Sequence, residues 1–319
     1  IDSRGVESQG AEERICVVVR REEYDPTSEY AVLVEGDLEL RGNPATRGRS
    51  ANVHSNRDLY LGGSAIVERD AEAGGSLTLE GRAMVGGRTV ENAPIVTVPP
   101  IDPMQLRYSS TYVFTGSGSV LDERGVTTWV SAGENDTWNG WRWKPSDVSW
   151  NWTGSGDLRP PGGVCYFEAN VYMTGSPGTR LSPWVATIVS ERNVVIAGNP
   201  RIVPSIGRSE VIVAGEDVVL LGTSGVGTGD PQFRGIVAAH EQVYLGGTTS
   251  IVGRVIAEDA ASTTDSWVRT NTIVDDELLG NVQISYEGGL RLPFATQSRV
   301  PIQAWEMRLP TGPEPVRPA

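Results

Sequence analysis

The stretch Val34-Glu-Gly-Asp-Leu-Glu-Leu-Arg-Gly-Asn-Pro-Ala45 carries a pattern that returns along the chain and predicts its fold. An aliphatic anchor is followed two residues later by a second apolar residue and four residues later by glycine. Seven anchors fit this pattern: Leu38, Leu59, Leu77, Val171, Val194, Val218 and Val243. The residue after each anchor varies freely. Such alternation predicts a short β-strand with one buried and one outward face.

The residues that flank each strand favour turns. A small or polar residue precedes every anchor, and we expect it to hydrogen-bond its own backbone and start a turn. These residues are Asp37, Asp58, Ser76, Asn170, Asn193, Asp217 and Gln242. The glycine that ends each copy permits a positive φ or a tight bend.

The spacing of the anchors predicts a solenoid. Successive anchors are 21, 18, 23, 24 and 25 residues apart within 38–77 and 171–243. Repeats of roughly 20 to 50 residues indicate units that bury their apolar face only by stacking. Because the repeat contains strands and no amphipathic helix, the predicted fold is an all-β, right-handed parallel β-helix. The alternative is an antiparallel sandwich, although hairpin signals are largely missing.

Five segments follow from the pattern. Residues 1–29 are an N-terminal segment whose strand, Ile15-Cys-Val-Val-Val-Arg20, is expected to cap or join the solenoid. Residues 30–103 form a first β-solenoid block that ends in a proline-rich crossing segment, a strap or a linker. Residues 104–163 are a tryptophan-rich insertion, 164–292 a second β-solenoid block, and 293–319 a proline-rich tail.

Composition and charge bound the class of protein. The chain has 319 residues, 38 of them glycine, and a net charge of −13. This charge argues against a nucleic-acid partner, which rewards clusters of Lys and Arg. No apolar run approaches the roughly 18 residues of a membrane helix. The chain begins at Ile1, so we expect an N-terminal segment to have been removed or left out. A secreted prokaryotic protein, extracellular or at the cell surface, fits these features.

Two cysteines leave one question open. Cys16 and Cys165 could form a disulfide, which an extracellular location would favour. Cys165 also lies two residues before Phe167 in the repeat pattern, as a buried thiol would. Both interpretations stand at this stage.

The insertion concentrates aromatic residues that could form an interface or bind a ligand. The candidates are Trp138, Trp141, Trp143, Trp150 and Trp152. Three interpretations remain open: a small satellite core on the β-helix, a contact between subunits, or a surface that stacks on glycans. Outward Tyr60, Tyr172 and Tyr244, with Val195 and Val219, predict an exposed strip that meets another surface.

Polar residues provide little support for an enzyme. His54 and His240, the only histidines, are predicted in turns or at the surface rather than at a metal. Asp37, Asp58 and Asp217 share a repeat position and could pair for glycoside hydrolysis, but a turn role is favoured. The acidic pairs Asp275-Asp276 and Glu258-Asp259 predict solvated loops, with weak Ca²⁺ binding as a minor alternative. We therefore expect no enzyme activity, no catalytic or metal residues and no cofactor.

Three stretches together resemble a known family. They are Tyr30-Ala-Val-Leu-Val-Glu-Gly-Asp-Leu-Glu-Leu-Arg-Gly-Asn43, Trp184-Val-Ala-Thr-Ile-Val-Ser-Glu-Arg-Asn-Val-Val-Ile-Ala-Gly-Asn199 and Gly235-Ile-Val-Ala-Ala-His-Glu-Gln-Val-Tyr-Leu-Gly-Gly247. They are similar to coils of PilX-type surface proteins related to type IV pilus assembly, over most of 15–292 except the insertion. The hydrophobic N-terminal helix of that family is absent from this sequence. The resemblance implies a structural or assembly role.

The sequence thus predicts an extracellular structural subunit of a self-assembling or pilus-like surface filament. We expect copies to contact each other through the termini and the insertion. The alternatives are a cell-surface adhesin that binds glycans through Trp138, Trp141 and Trp143, and a polysaccharide-degrading enzyme. The last is disfavoured because Lys144 is the only lysine.

Overall fold

The computed structural model describes residues 2–6, 12–19, 22–24, 26–133, 135–156, 160–222, 231–260, 276–292, 297–299 and 302–308. Contacts divide the chain into a terminal unit, Ile1–Asp25 with Thr296–Ala319, and a larger unit, Pro26–Ala295. The described residues are nearly all in strands or the turns between them. Two short helices occur among them, a 3₁₀ helix at Pro26–Glu29 and α1 at Met104–Arg107.

The strands are short, as the repeat predicts. Before α1 lie β1 Asp2–Val6, β2 Glu12–Val19, β3 Glu22–Tyr24, β4 Tyr30–Val34, β5 Leu38–Gly42, β6 Ala45–Arg47, β7 Asn52–Ser55, β8 Leu59–Leu61, β9 Ile66–Val67, β10 Ala71–Ala73, β11 Leu77–Leu79, β12 Met84–Val85 and β13 Thr89–Val90. The insertion holds β14 Tyr112–Phe114, β15 Ser119–Asp122, β16 Thr127–Val130, β17 Trp141–Lys144, β18 Ser149–Trp152 and β19 Ser155–Gly156. After it come β20 Gly163–Phe167, β21 Asn170–Met173, β22 Ser176–Pro177, β23 Trp184–Ser190, β24 Val194–Ile196, β25 Ile202–Val203, β26 Glu210–Ala214, β27 Val218–Gly222, β28 Phe233–Ala239, β29 Val243–Gly247, β30 Ser250–Ala257, β31 Asp276–Gly280, β32 Gln283–Tyr286, β33 Gln297–Arg299 and β34 Ile302–Arg308.

The terminal unit joins the two ends of the chain. Strand β2, which contains the predicted strand at 15–19, pairs antiparallel with β1 on one side and β34 on the other. Strand β3 pairs antiparallel with β33. The residues predicted as separate N-terminal and C-terminal segments therefore contribute strands to one unit. Residues 309–319 of the predicted tail lie outside the described residues.

The larger unit is built from parallel strands in register. Leu38 pairs with Leu59, and Leu59 with Leu77. The register likewise aligns Val171, Val194, Val218 and Val243 in one row. Both rows match the alignment of anchors made from the sequence. Each repeat contributes one strand to a 10-stranded sheet and further segments to a 17-stranded sheet.

The glycine row confirms the reason given for glycine at the fourth position. Gly63 has φ +72°, and a Cβ atom there would lie 2.5 Å from the carbonyl oxygen of Gly42 in the neighbouring repeat. At Gly198 the Cβ would lie 1.9 Å from Gly175 O without a positive φ. Glycine is needed at Gly198 because adjacent repeats approach closely, and at Gly63 because of both the approach and the bend.

The order of strands in the sheet differs from their order in the sequence, in which an insertion separates two blocks of repeats. The 10-stranded sheet runs β11-β8-β5-β31-β29-β27-β24-β21-β18-β17. The first repeat of the chain, with β5, thus pairs with the last, with β31, in the middle of the sheet. From β5 the following repeats add strands outward to β11. The chain then crosses outside the sheets to the other end, and its later repeats add strands from β18 back to β31. The two predicted blocks are consecutive in space because parallel pairing joins β5 to β31 as well as neighbours in sequence.

Two repeats escaped the sequence pattern. Trp150 aligns with Val171 and Trp152 with Met173, so the insertion contributes a repeat with tryptophan at both inward positions. Asp276 aligns with Leu38 and Leu278 with Leu40, which gives a repeat whose anchor is a buried aspartate. The pattern requires an aliphatic residue at the inward positions. It therefore missed the first repeat, which has large aromatic rings there, and the second, which has a charged residue there.

Residues 91–111 form a strap that carries the chain back over the outer face of the 17-stranded sheet. Val98, Ile101 and Leu106 are buried in a cluster with side chains from six consecutive strands. These are Leu33, Ile256, Ile236, Ala238, Val213, Val189, Tyr166 and Val164. The prediction of a crossing segment is confirmed, and its strap interpretation is the one the structure shows.

Hydrogen bonds hold the strap at defined points. Val96 N donates to Asn56 Oδ1 at 2.9 Å, and Asn56 Nδ2 donates to Val96 O at 2.8 Å. Ile101 N donates to Glu258 Oε2 at 2.8 Å. Arg107 pairs with Glu168 near the far end. The strap therefore has both apolar and polar anchors along the sheet.

Candidate functional site

The predicted tryptophan residues lie at one end of the sheets. Strands β17 and β18 form an antiparallel hairpin in which Trp141 faces Trp152 and Trp143 faces Trp150. Trp141, Trp150 and Trp152 are 0% exposed and Trp143 is 7% exposed, whereas Trp138 is half-buried. Phe114 of β14 lies among these rings, 5.6 Å from Trp141 and 5.1 Å from Trp150 between ring centroids. We call Phe114 and these four buried tryptophans the tryptophan plug.

The position of the plug bears on the three interpretations left open for these tryptophans. It belongs to the same apolar core as the inward residues of the repeats. Four of the five candidate tryptophans have no ring face open to solvent, so a sugar could not stack on them. The burial supports a packing role, in which these rings extend the main core at its end rather than form a separate satellite core.

The indole N–H groups of the plug differ in their partners. Trp150 Nε1 donates to Thr115 O at 3.0 Å. Trp141 Nε1 and Trp152 Nε1 are buried and have no hydrogen-bond partner among the residues that the structure describes. A buried donor without a partner carries a desolvation cost. The plug is thus held mainly by apolar packing.

The polar residues before the anchors form a ladder between repeats rather than local turns. Asp58 N donates to Asp37 Oδ1 at 2.9 Å, and Ser76 N donates to Asp58 Oδ1 at 2.7 Å. Further along the sheet, Asp217 N donates to Asn193 Oδ1 and Gln242 N to Asp217 Oδ1. The expectation of a local turn was wrong for Asp37, Asp58, Asn193 and Asp217, because each of these side chains accepts from the backbone of the neighbouring repeat.

This ladder explains the carboxylates considered for catalysis. Asp37, Asp58 and Asp217 do occupy one row, but each uses a carboxylate oxygen to hold a backbone N–H. The backbone hydrogen bond from Ser76 keeps the pKa of Asp58 below its usual value. Such oxygens are engaged in structure. Among the described residues, no group of three or more His, Cys, Asp or Glu side chains could hold a metal ion.

The two histidines lie under and beside the strap. His54 is fully buried, with Nδ1 3.1 Å from Glu72 Oε2 and Nε2 2.8 Å from Asn56 Oδ1. His240 is half-exposed, with Nδ1 2.6 Å from Glu258 Oε2. A turn or surface position was therefore wrong for His54. Both histidines contact residues that bond to the strap, Asn56 and Glu258.

The acidic pairs are less solvated than expected. Asp276 is 1% exposed and accepts from Val243 N at 2.6 Å. Asp259 accepts from Gln242 Nε2 at 2.7 Å, and Glu258 bonds to the strap. Asp275 lies outside the described residues. For Asp259 and Asp276, the prediction of solvated loops was wrong because both carboxylates hold neighbouring repeats together.

Cys165 is a free, fully buried thiol. Its Sγ lies 3.6 Å from Pro161 O, and burial raises its pKa to about 12. Such a thiol is inert rather than reactive. Of the two interpretations, the structure shows the buried thiol. The side chain of Cys16 lies outside the described residues.

The outward tyrosine and valine positions form two different surfaces. Val195 and Val219 are buried in a small cluster with Tyr172 and Tyr244, so the strip predicted to be exposed is covered at its centre. Tyr60 belongs elsewhere: its hydroxyl donates to Glu80 Oε2 at 2.6 Å, and Arg41 lies over its ring. These outer positions therefore do not form one continuous ladder.

The end opposite the plug is the surface that sequence reasoning missed. Residues 77–85, with edge strands β11 and β12, form what we call the open end. Leu79 is 46% exposed although it aligns with buried Leu61, and Met84 is 58% exposed. The 10-stranded sheet ends at β11, so no further repeat among the described residues covers these side chains. Their sequence pattern is the same as in the covered repeats.

No protein-family model and no curated protein matches the chain. Its structure is similar to that of the competence-associated pilin ComZ from Thermus thermophilus, with a TM-score of 0.40 and 11% identity over 94% of this chain and 79% of that chain. It is also similar to an ice binding protein from an Antarctic Biological Consortium, with a TM-score of 0.34 and 12% identity over 85% of this chain and 94% of that chain. These scores mark a loose likeness, from which no function follows for this chain.

The described part of the chain contains no helix long and apolar enough to cross a membrane.

Proposed function

We propose that this protein is an extracellular structural subunit of a self-assembling surface structure, built as a right-handed parallel β-helix. The open end is the observation that carries the proposal. It presents apolar core positions and the outer edges of parallel strands, which are templates for pairing with another chain. Repeat proteins need polar outer faces on their terminal repeats to stay soluble alone. The open end instead exposes apolar side chains and strand edges that another protein surface could cover.

The β-helix itself is supported by the rows of the larger unit. Anchors and glycines align from repeat to repeat, and each repeat returns to the same two sheets in the same direction. A chain that returns to neighbouring parallel strands winds right-handed by default. The ladder of side chains between repeats supports the same arrangement.

A pilus-like filament, as in the PilX-type proteins, is the finer form of the proposal. A filament requires two contacts on each copy, and the open end would supply one. The terminal unit, which includes both ends of the chain, is our candidate for the other. The tryptophan insertion, expected earlier as a contact, is set aside because its rings are buried.

The proposed role includes no enzyme activity, cofactor or nucleic-acid partner. The shared row of aspartates is occupied with backbone hydrogen bonds, and the net charge of −13 disfavours phosphate backbones. A glycan-binding adhesin that uses Trp138, Trp141 and Trp143 is not favoured, since two of these rings are buried.

Negative-stain electron microscopy of the purified chain tests the proposal. We compare the full chain with a version that ends at Arg308, which keeps the last described strand. Filaments or defined oligomers of the full chain are the expected result, and their loss on truncation would place the second contact at the terminal unit. Single particles at every concentration would contradict an assembling subunit.

A further inference from the structure

We propose that the open end joins a second copy of this chain, open end to open end, about a twofold axis. This inference rests on the proposed function and names the partner and geometry of one contact. The occupant is a second copy because an identical open end supplies a complementary strand edge, complementary apolar side chains and complementary charges.

The backbone at the open end lacks the partner that every inner repeat has. Leu38 N donates to Asp58 O at 2.9 Å, and Leu59 N donates to Ser76 O at 2.9 Å, each in the next repeat. The described part of the chain holds no repeat beyond Leu77, and the Leu77 N–H instead donates to Glu91 Oε1 at 3.1 Å. The carboxylate of Glu91 thus replaces one backbone carbonyl acceptor. Among the described strands, β11 pairs with β8 alone and β12 with β9 alone, so their outer edges are available for strand pairing.

The apolar side chains at this end continue the core. Leu77 and Leu79 lie in the rows of Leu59 and Leu61, which are 1% and 0% exposed. Leu79 and Met84 would lose their contact with water against a second apolar surface. An identical open end supplies such a surface.

Charge at the open end favours self-association. The protein has a net charge of −13, which makes most contacts between copies repulsive. Within the open end the charged residues are Glu80 and Arg82, one acidic and one basic. A twofold axis reverses the direction of the second copy, so that Glu80 of one copy can face Arg82 of the other. Complementary charge of this kind sets register and partner choice.

The opposite end argues for a twofold rather than a head-to-tail joint. There β17 pairs antiparallel with β18, and β15 and β16 pair antiparallel beyond β14. The tryptophan plug fills the core behind them. A parallel edge of β11 meets no equivalent parallel edge at that end. A contact that uses the same patch on both copies is isologous and closes as a dimer.

Analytical ultracentrifugation of the full chain tests this joint. At concentrations below those at which filaments form, we expect a dimer for the wild type and a monomer for Leu79→Lys, because lysine on an edge strand opposes pairing. Met84→Lys, on the neighbouring edge strand β12, should have the same effect. Both side chains are already exposed, so the midpoint of thermal unfolding measured on dilute monomer should stay near that of the wild type.

Two matched controls keep the result specific. Leu279→Lys changes a 39% exposed leucine on β31, an inner strand with neighbours on both sides, and should leave the dimer intact. Val130→Lys changes a 58% exposed valine on β16, at the plugged end, and should also leave it intact.

A charge swap tests the geometry. Arg82→Glu places acidic residues opposite each other across the axis and should raise the dimer dissociation constant by about tenfold or more. Adding Glu80→Arg restores opposite charges and should recover most of the affinity. An unchanged dissociation constant for Arg82→Glu would overturn the twofold arrangement.

The outcomes separate this inference from the proposed function. A dimer that forms below the filament concentration and survives Leu79→Lys and Met84→Lys would overturn the open-end joint and leave an assembling subunit in place. A wild-type chain that is monomeric at all concentrations would overturn both.

Discussion

Asn193 shows how one side chain holds three repeats. It is 0% exposed, its N–H donates to Asn170 Oδ1 in one neighbouring repeat, and its Oδ1 accepts from Asp217 N in the other. Its Nδ2 donates to Glu216 Oε2 at 2.6 Å. Ladders of this kind satisfy backbone groups at the corner between strands, where the regular sheet bonds are interrupted.

Replacing Asn193 with Ala should destabilise the larger unit. The change removes the acceptor of Asp217 N and one donor to Glu216 Oε2, which we expect to cost about 1–3 kcal/mol in the free energy of unfolding. Urea denaturation measures it. Asn43→Ala removes an exposed bond to Asn281 and is the matched control, expected to change stability by less than about 0.5 kcal/mol. Equal effects from the two changes would contradict a special role of the buried ladder.

Glu72 links a histidine under the strap to the stability of the protein at low pH. The hydrogen bond to His54 is the main cause that lowers its pKa, and the charge of His54 and the Tyr30 hydroxyl act in the same direction. A lowered pKa in the folded state means that the unfolded chain binds the proton more readily. Stability is therefore present above the ordinary glutamate pKa and is lost as the pH falls through the folded-state value.

Glu72→Gln should remove this part of the acid dependence. We expect the midpoint of thermal unfolding, measured from about pH 7 down to about pH 3, to fall less steeply for the variant below the ordinary glutamate pKa. Glu123→Gln, an exposed residue in the β15–β16 turn, should keep the wild-type slope. A variant slope as steep as the wild type would show that the Glu72–His54 contact does not contribute.

At the scale of the elements, the tryptophan plug explains how the core ends at one side of the sheets. Its rings sit at positions that Val171 and Met173 occupy in the next repeat, and the β17–β18 hairpin turns the sheet edge back on itself. Large aromatic rings bury much area without needing a further repeat. The plug thus ends the core at one side, while the open end lacks any such element.

Two Trp→Phe substitutions in the plug remove the same volume but should lower the free energy of unfolding by different amounts. Trp150→Phe removes the donor to Thr115 O, whereas Trp152→Phe removes an N–H that has no partner among the described residues. Both changes lose similar apolar contact. We expect Trp150→Phe to be more destabilising than Trp152→Phe by about 1–3 kcal/mol in urea denaturation. A larger cost for Trp152→Phe would mean that its indole N–H is satisfied in solution.

At the largest scale, the larger unit is a parallel stack that the chain enters in the middle. Its first repeat pairs with its last, and the strap carries the chain between the two ends of the sheets. The terminal unit brings the chain ends close as well, since Asp2 pairs with Cys16 and Arg308 with Arg14 on opposite sides of β2. Two strand spacings, about 10 Å, separate such positions.

A circular permutant should therefore fold. A short glycine-serine linker joins Arg308 to Asp2, and the chain opens between Pro94 and Ile95, both exposed in the strap. Its repeats would then follow in sequence the order they have in space. We expect far-UV circular dichroism like the wild type and one cooperative thermal transition.

The matched control opens the chain between Val195 and Ile196 inside β24. It cuts a buried strand with neighbours on both sides and should fail to fold. If the strap permutant fails in the same way, covalent continuity of the strap is needed to bring the first and last repeats together.

Much of the local structure could be predicted from the sequence. The inward anchors, the outward residue between them and the closing glycine are set by steric and solvent constraints within one strand and its turn. Seven repeats were recognised for this reason. The repeats at Trp150 and Asp276 were not, because the pattern defines an inward position by aliphatic character, and tertiary packing accepted large rings and a hydrogen-bonded carboxylate there instead.

The open end illustrates what no local pattern could predict. Leu79 and Leu61 have the same surroundings in sequence, yet one is 46% exposed and the other 0%. Only the order of repeats decides which of them is last. The sequence by itself thus determined the repeat and its strands, since these depend on interactions within about a dozen residues. The tertiary structure alone decided which repeats are neighbours, which end is plugged and which is open, because pairing between parallel strands depends on contacts between residues far apart in the chain.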